Sequence, residues 1–149
     1  MVHKFNFSKL KIFLFINGER GISLLNYLKK KVRDITIIAI KKKKINKIKI
    51  KIKTKIFKNI NSKIFKSFAL KEKPDLFILG GFPQIIKKNI FQIPKYGTIN
   101  LHAGKLPDYR GGSPLNWAII NGDRSFDSTI IKINKGIDTG QILARKKSK

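Results

Sequence analysis

Three stretches of the chain consist of apolar or β-branched residues without interruption, and each is about as long as one buried strand. They are Ile12–Ile16, Ile35–Ile40 and Leu76–Leu79. Unbroken runs of this kind are typical of parallel strands that are covered on both faces. Between the first two runs, Ile22–Lys31 has its apolar residues at helical spacing. This alternation of strand and helix predicts an α/β fold with a Rossmann-like, mostly parallel sheet and helices on both faces.

A second helix is predicted to end near Glu72. Asn61 and Ser62 have side chains that can cap its first turn. Lys73 and Pro74 end it, because a proline cannot continue a helix. The apolar stripe expected to face the sheet consists of Ile64, Phe65 and Phe68.

A third helix is predicted over Leu115–Asn121. Ser113 is expected as its N-cap and Pro114 at its first position, where a missing N–H costs nothing. Gly122 is expected to end it. Trp117 is expected to pack inward as part of the core.

The charge of the chain changes the choice of partners to be considered. The formal net charge is +26, and only 5 of the 34 basic residues are arginines. Lys41–Lys44 and the alternating run Ile48–Lys53 carry much of this charge. The alternation favours a solvated edge strand kept from aggregation by its lysines, with a basic track for a polyanion as the alternative. A basic α/β module that binds nucleic acid without catalysing a reaction therefore stays open as a function.

The chain has no cysteine, so disulfides and thiolate metal sites are excluded. The first apolar run, Ile12–Ile16, is too short for a signal peptide or a membrane span. These two observations predict a cytoplasmic protein that has no membrane partner.

Candidate chemistry begins at the end of a short predicted strand. Asn100 and His102 lie two residues apart, so they share one face of that strand. The next residues include Gly104 and the pair Gly111–Gly112, which predict a loop. An amide and an imidazole beside a glycine-rich loop suit the polarisation of a carbonyl group. The alternative is that the amide caps a turn and the imidazole is a satisfied polar group.

Asp138 is the second candidate, and it lies in a loop between Gly136 and Gly140. Predicted strands flank this loop at Ser128–Ile133 and Gln141–Ala144. The carboxylate can simply form an Asx turn. Beside an imidazole it would instead hold the ring in one tautomer and stabilise its charged form.

Three motifs in order carry a family resemblance. They are Asn100-x-His102, the Leu-Pro-Asp-Tyr-Arg-Gly-Gly-Ser-Pro run at Leu106–Pro114, and Gly-Ile-Asp-Thr-Gly at 136–140. The chain resembles the 10-formyltetrahydrofolate-dependent formyltransferases, most clearly over Pro74–Leu143. The resemblance implies transfer of a formyl group from 10-formyltetrahydrofolate, the donor, to a primary amine, with no metal.

The resemblance also implies roles for individual residues. Asn100 would donate a hydrogen bond to the oxyanion, His102 would add charge stabilisation, and Asp138 would orient the imidazole and help remove the amine proton. The predicted donor-binding residues are Pro83, Gln84, Ile85, Ile86, Gly104, Lys105, Leu106 and Pro107. A strand-to-helix turn with proline at the first helical position is a compatible interpretation of the earlier segment.

The acceptor is less defined by the sequence. In this family the first loop, here Asn17–Gly18, faces the acceptor, and an amino-sugar nucleotide or methionyl-tRNA is favoured over a ribotide. Family members often have serine and leucine at the positions of Gly104 and Lys105. The chain ends at Lys149, so residues 1–149 are interpreted as one formyltransferase-like catalytic domain that is shortened at its C-terminus. An inactive remnant of a formyltransferase is the remaining alternative.

Overall fold

A computed structural model of the chain describes residues 6–41, 45 and 52–148. A short 3₁₀ turn at Phe7–Lys9 precedes the first strand. In chain order, the elements that follow are β1 (Lys11–Ile16), α1 (Glu19–Leu28), β2 (Asp34–Ala39), β3 (Thr54–Ile56), α2 (Lys63–Glu72), β4 (Leu76–Gly80), α3 (Lys88–Phe91), β5 (Thr98–His102), α4 (Pro114–Ile120), β6 (Phe126–Lys132) and β7 (Ile142–Ser148).

The seven strands form one sheet in the order β3-β2-β1-β4-β5-β6-β7. The pairs from β3 to β5 are parallel, whereas β6 and β7 add to the sheet antiparallel. The predicted mostly parallel, Rossmann-like sheet is therefore confirmed. The chain leaves β1 towards β2 on one side and later returns to β4 on the other. This reversal places the switch point of the sheet between β1 and β4.

The core lies on both faces of the sheet, because successive strand residues point to opposite sides. Leu14 of β1 packs in one apolar cluster with Leu25 of α1. Phe13 and Phe15 face the other way and join Phe65 of α2. The rings of Phe15 and Phe65 meet edge to face with their centroids 5.8 Å apart. Helices on both faces account for the continuous apolar runs of the central strands.

The start of α2 follows the sequence prediction, but one residue of its stripe does not. Ser62 caps the helix by accepting a hydrogen bond from the Phe65 N–H over 3.2 Å. Phe65 and Ala69 are fully buried, one turn apart. The prediction for Ile64 was wrong, since this side chain is 75% exposed. Phe65 and Ala69, four residues apart, define the face of α2 that meets the sheet, and Ile64 lies beside that face.

The end of α2 is tied to neighbouring strands by ion pairs. Glu72 accepts from the ammonium groups of Lys11, at 2.8 Å, and Lys53, at 2.9 Å. These two hydrogen bonds, with the charge behind them, hold the pKa of the Glu72 carboxyl at about 2.

Helix α4 begins at Pro114 as expected, but its packing differs from the prediction. Ser113 precedes the helix in a left-handed conformation (φ 54°), and its hydroxyl makes no capping bond. The expectation that Trp117 packs inward was wrong, because this side chain is 56% exposed. Pro114 and Ala118, one turn apart, are the buried residues of α4. Trp117 falls on the adjacent, outward face.

The basic region of the sequence is only partly described. Most of the alternating run that was predicted as an edge strand lies outside the described residues. The edge strand that the structure does describe is β3, whose three residues are exposed. At the opposite edge, β7 extends to Ser148 and is longer than predicted. In the described ranges, no helix is long and apolar enough to cross a membrane.

Candidate active site

A cleft of about 580 Å³ opens at the carboxyl ends of β1, β4 and β5. Its walls come from the turns that follow these strands, at Asn17, at Gly81–Ile86 and at Asn100–Ala103. Ligands of Rossmann-type sheets bind at this edge, beside the switch point. A volume of about 300–1,000 Å³ is the range expected for sites that hold organic ligands.

Asn100, His102 and Asp138 come together at the floor of this cleft. The Asn100 amide Nδ2 lies 3.3 Å from Asp138 Oδ1. His102 Nδ1 lies 3.4 Å from the other carboxylate oxygen, Oδ2. The first two side chains leave the same face of β5, and the third reaches them from the loop between β6 and β7. An amide donor, an imidazole and a carboxylate are thus grouped around one point.

The His102 ring is held from both ends and is only 5% exposed. Its Nε2 is 2.6 Å from the Tyr109 carbonyl oxygen. A carbonyl oxygen only accepts hydrogen bonds, so Nε2 is the donor and carries a hydrogen. Its Nδ1 therefore faces Asp138. The pair of contacts fixes both the orientation of the ring and the nitrogen that meets the carboxylate.

The loop that carries Asp138 is built by its own side chains and by one close approach. Asp138 itself has a left-handed backbone (φ 49°), and its Oδ2 accepts from the Gly111 N–H over 3.0 Å. Within the loop, Asn134 Oδ1 accepts hydrogen bonds from the Gly136 N–H and from the Thr139 hydroxyl. At Gly140 a Cβ would overlap a carbonyl oxygen of β6, so the position admits only glycine.

Of the predicted donor-binding residues, Pro83–Ile86 line the cleft. Ile85 is exposed, whereas Ile86 is buried. The interpretation of Pro83 as the first residue of a helix was wrong, because α3 begins only at Lys88. The segment between β4 and α3 is irregular, and it forms one wall of the cleft.

The other predicted donor-binding segment, Gly104–Pro107, is absent from the cleft lining. Thr129 of β6 donates to the Gly104 carbonyl over 2.7 Å, and Arg145 of β7 donates to the Leu106 carbonyl. These bonds draw the segment towards the antiparallel strands and away from the cleft. Contact of these four residues with a donor stays a prediction.

Lys105 of this segment forms an ion pair with Asp108. Its ammonium group is 2.7 Å from Asp108 Oδ2. This hydrogen bond raises the pKa of Lys105 and lowers the pKa of Asp108.

Sequence reasoning missed two main-chain groups that bond to His102 and Asp138, and two side chains that border the cleft. Arg20 and Lys135 are its basic side chains, opposite in charge to Asp138. Arg20 could have been found from its place just after the turn that follows β1. The Tyr109 carbonyl and the Gly111 N–H left no trace in the sequence, since every residue except proline carries such groups. Within the described ranges, no three histidine or acidic side chains are grouped so that they could hold a metal ion.

The model of the family described as "Formyl transferase" matches residues 15–149. This chain belongs to the formyl transferase family. The match includes the cleft and all three polar residues at its floor, and it confirms the resemblance drawn from the motifs.

Curated relatives give the comparison at the level of sequence. The chain is 53% identical over 77 residues to a methionyl-tRNA formyltransferase of Clostridium beijerinckii. This aligned segment covers 51% of this chain and 25% of that protein. It is 42% identical over 78 residues to a methionyl-tRNA formyltransferase from Agathobacter rectalis, and this segment covers 52% of this chain and 25% of that protein. The aligned part thus spans about a quarter of the length of these relatives.

Solved structures give the comparison at the level of the fold. A phosphoribosylglycinamide formyltransferase from Bacillus halodurans superposes with a TM-score of 0.78 at 20% identity, over 93% of this chain and 79% of that one. A formyltetrahydrofolate deformylase from Pseudomonas syringae superposes with a TM-score of 0.76 at 17% identity, over 94% of this chain and 51% of that one. Both support the same Rossmann-like architecture.

Proposed function

We propose that this member of the formyl transferase family transfers a formyl group from 10-formyltetrahydrofolate to the primary amine of an acceptor. The observation that carries the proposal is the approach of Asn100 and His102 to Asp138 within 3.3 and 3.4 Å. Three such groups at the floor of a cleft suit attack on a carbonyl carbon. A protein that only bound nucleic acid would not need this grouping, and no comparison supports that alternative.

In the proposed reaction, the amine nitrogen attacks the formyl carbon and the carbonyl electron pair moves to oxygen. Asn100 uses one amide hydrogen towards Asp138 and has a second for the developing oxyanion. His102 adds positive charge when its Nδ1 is protonated beside the carboxylate. Donors held in place before the reaction stabilise such charge without reorganising, which is where their catalytic effect originates.

Collapse of the tetrahedral intermediate reforms the carbonyl group and breaks the bond to the folate nitrogen. The attacking amine must lose a proton, and the departing nitrogen must gain one. Asp138 accepts the first proton, directly or through a water molecule, and the pair with His102 returns it to the departing nitrogen. The proton count then balances within the site.

The donor is proposed to lie along the wall formed by Pro83–Ile86. The exposed Ile85 and half-buried Phe82 offer apolar surface for a flat ring. The main chain there offers the polar groups that would orient such a ring. The volume of the cleft fits a ring system of this size.

For the acceptor we propose methionyl-tRNA, which the names of the curated relatives described above point to. Arg20 and Lys135 border the cleft and suit a substrate that carries phosphate groups. An amino-sugar nucleotide shares that chemistry and is the second choice.

The test offers the full chain 10-formyltetrahydrofolate together with methionyl-tRNA, an amino-sugar nucleotide or glycinamide ribotide in separate reactions. Formylated acceptor is measured by mass spectrometry, and a reaction without acceptor measures hydrolysis of the donor. We expect the methionyl-tRNA reaction to be fastest. Turnover of glycinamide ribotide alone would overturn the choice of acceptor, and hydrolysis without transfer would overturn the proposed reaction.

A further inference from the structure

Gln84 was predicted from the sequence to contact the donor, but its side chain is already engaged elsewhere. Its Oε1 accepts from the Ile60 N–H over 3.0 Å, and its Nε2 donates to the Lys58 carbonyl over 2.8 Å. One amide therefore bonds to two main-chain groups of the segment between β3 and α2. The Gln84 side chain points from the cleft wall to the element behind it.

Asn61 makes the reciprocal arrangement. Its Nδ2 donates to the Ile85 carbonyl over 2.9 Å, and its Oδ1 accepts from the Lys87 N–H over 2.9 Å. The two amides thus cross the same gap in opposite directions. We name Asn61 and Gln84 the amide clasp. Both side chains are half-buried.

The spacing of the bonds has a geometric consequence for the wall. Each amide spans the carbonyl of one residue and the N–H two positions later, as one residue does through its own N–H and C=O in a parallel ladder. In such a ladder the residue between the two points its own N–H and C=O to the opposite side. At the wall that residue is Ile86, which lines the cleft. Asn61 therefore bonds to main-chain groups on either side of Ile86 and leaves the N–H and C=O of Ile86 itself unused.

We infer that Asn61 and Gln84 are positioning residues for the formyl donor. The inference rests on the proposed function, because it takes the donor to be a folate whose fused ring carries neighbouring hydrogen-bond donors and acceptors. The clasp holds the main chain of Ile86 in the orientation that recognises this ring. The two amides act through the wall without touching the ligand.

The test compares Asn61→Ala and Gln84→Leu with two controls from the same neighbourhood, Asn89→Ala and Gln92→Leu. Both control side chains are exposed and make no side-chain hydrogen bond within the described part of the chain. Calorimetry measures the Kd for 5-formyltetrahydrofolate, a stable folate that does not donate its formyl group. Hydrogen exchange follows the Ile60 and Lys87 amides, and steady-state kinetics separate KM for the donor from kcat.

We expect each clasp variant to weaken 5-formyltetrahydrofolate binding and raise the donor KM by about 10-fold, since two main-chain bonds are lost. We expect kcat at saturating donor to stay within about 2-fold, because the catalytic side chains lie on other elements. Gln84→Glu keeps the acceptor for Ile60 but loses the donor to Lys58, so its effect should be intermediate. The controls should match the unsubstituted chain.

The outcomes separate this inference from the proposed function. If the unsubstituted chain binds no folate, the proposed function fails, and with it the ligand assigned to the clasp. If it binds folate and the clasp variants bind equally well, the inference alone is overturned. Faster exchange at Ile60 and Lys87 with unchanged folate binding would likewise overturn it, since the clasp would then order the wall without serving recognition.

Discussion

Two buried threonines give a sharp test of how the loop after β5 is held. Thr129 in β6 and Thr36 in β2 are both fully buried. The Thr129 hydroxyl donates to the Gly104 carbonyl over 2.7 Å, whereas the Thr36 hydroxyl has no hydrogen-bond partner among the described residues. The same substitution, threonine to valine, should therefore have opposite effects at the two positions.

At Thr129 the substitution removes the donor and leaves the buried Gly104 carbonyl without a partner. Such a loss costs about 1–3 kcal/mol in the free energy of unfolding. At Thr36 the substitution removes an unsatisfied hydroxyl and adds a methyl group to a buried strand. We expect Thr36→Val to stabilise the fold by about 1 kcal/mol, because burying an unpaired hydroxyl is itself unfavourable by about 1–3 kcal/mol.

Thermal unfolding followed by circular dichroism measures both variants. For a chain of this size each kcal/mol moves Tm by about 2–4 °C, so Thr129→Val should lower Tm by roughly 2–12 °C and Thr36→Val should raise it by roughly 2–4 °C. Equal Tm shifts of the same sign would refute the reasoning. The stabilising role assigned to the Thr129 hydrogen bond would then have to be withdrawn.

Three further predictions concern stability. The free energy of unfolding should fall as the pH is lowered from about 4.5 towards 2, because the carboxyl of Glu72 has a pKa of about 2 when folded against 4.5 when unfolded. Urea titrations of Glu72→Gln over the same pH range should show a smaller fall, because the variant lacks this carboxyl. Gly104→Ala places a Cβ 2.6 Å from the Pro114 Cβ and should cost about 1–3 kcal/mol by chemical denaturation, whereas Gly112→Ala meets nothing within 4 Å. Ser62→Ala should cost about 1 kcal/mol in the same assay through the lost helix cap, and an unchanged midpoint would contradict that assignment.

The central strands could be predicted because their environment leaves a plain record in the sequence. Ile12–Ile16 and Leu76–Leu79 are apolar without interruption, since helices cover both of their faces. The outer helices leave a weaker record. Ile64 and Trp117 are as apolar as their buried neighbours, yet both are exposed. Which side of a short helix meets the sheet depends on tertiary packing, which residue type alone does not encode.

For the candidate site, too, the sequence predicted some features and missed others. Asn100, His102 and Asp138 could be proposed from motif spacing, because side-chain chemistry is visible in the sequence. Their main-chain partners could not, since the Tyr109 carbonyl differs from other carbonyls only by where the loop places it. The position of Gly104–Pro107 was also beyond the sequence. It depends on bonds from β6 and β7, strands that are distant along the chain.

The most direct measurement of the central claim is the rate of formyl transfer by His102→Ala. Removing the imidazole deletes both a positioned charge and a proton-transfer group, so the rate should fall by about 10²–10⁴-fold. Tm should fall, because the ring is buried and donates to the Tyr109 carbonyl, but the folded protein should still bind 5-formyltetrahydrofolate along the wall at Pro83–Ile86. Unchanged turnover by folded, folate-binding His102→Ala protein would contradict the assignment of Asn100, His102 and Asp138 as the catalytic residues.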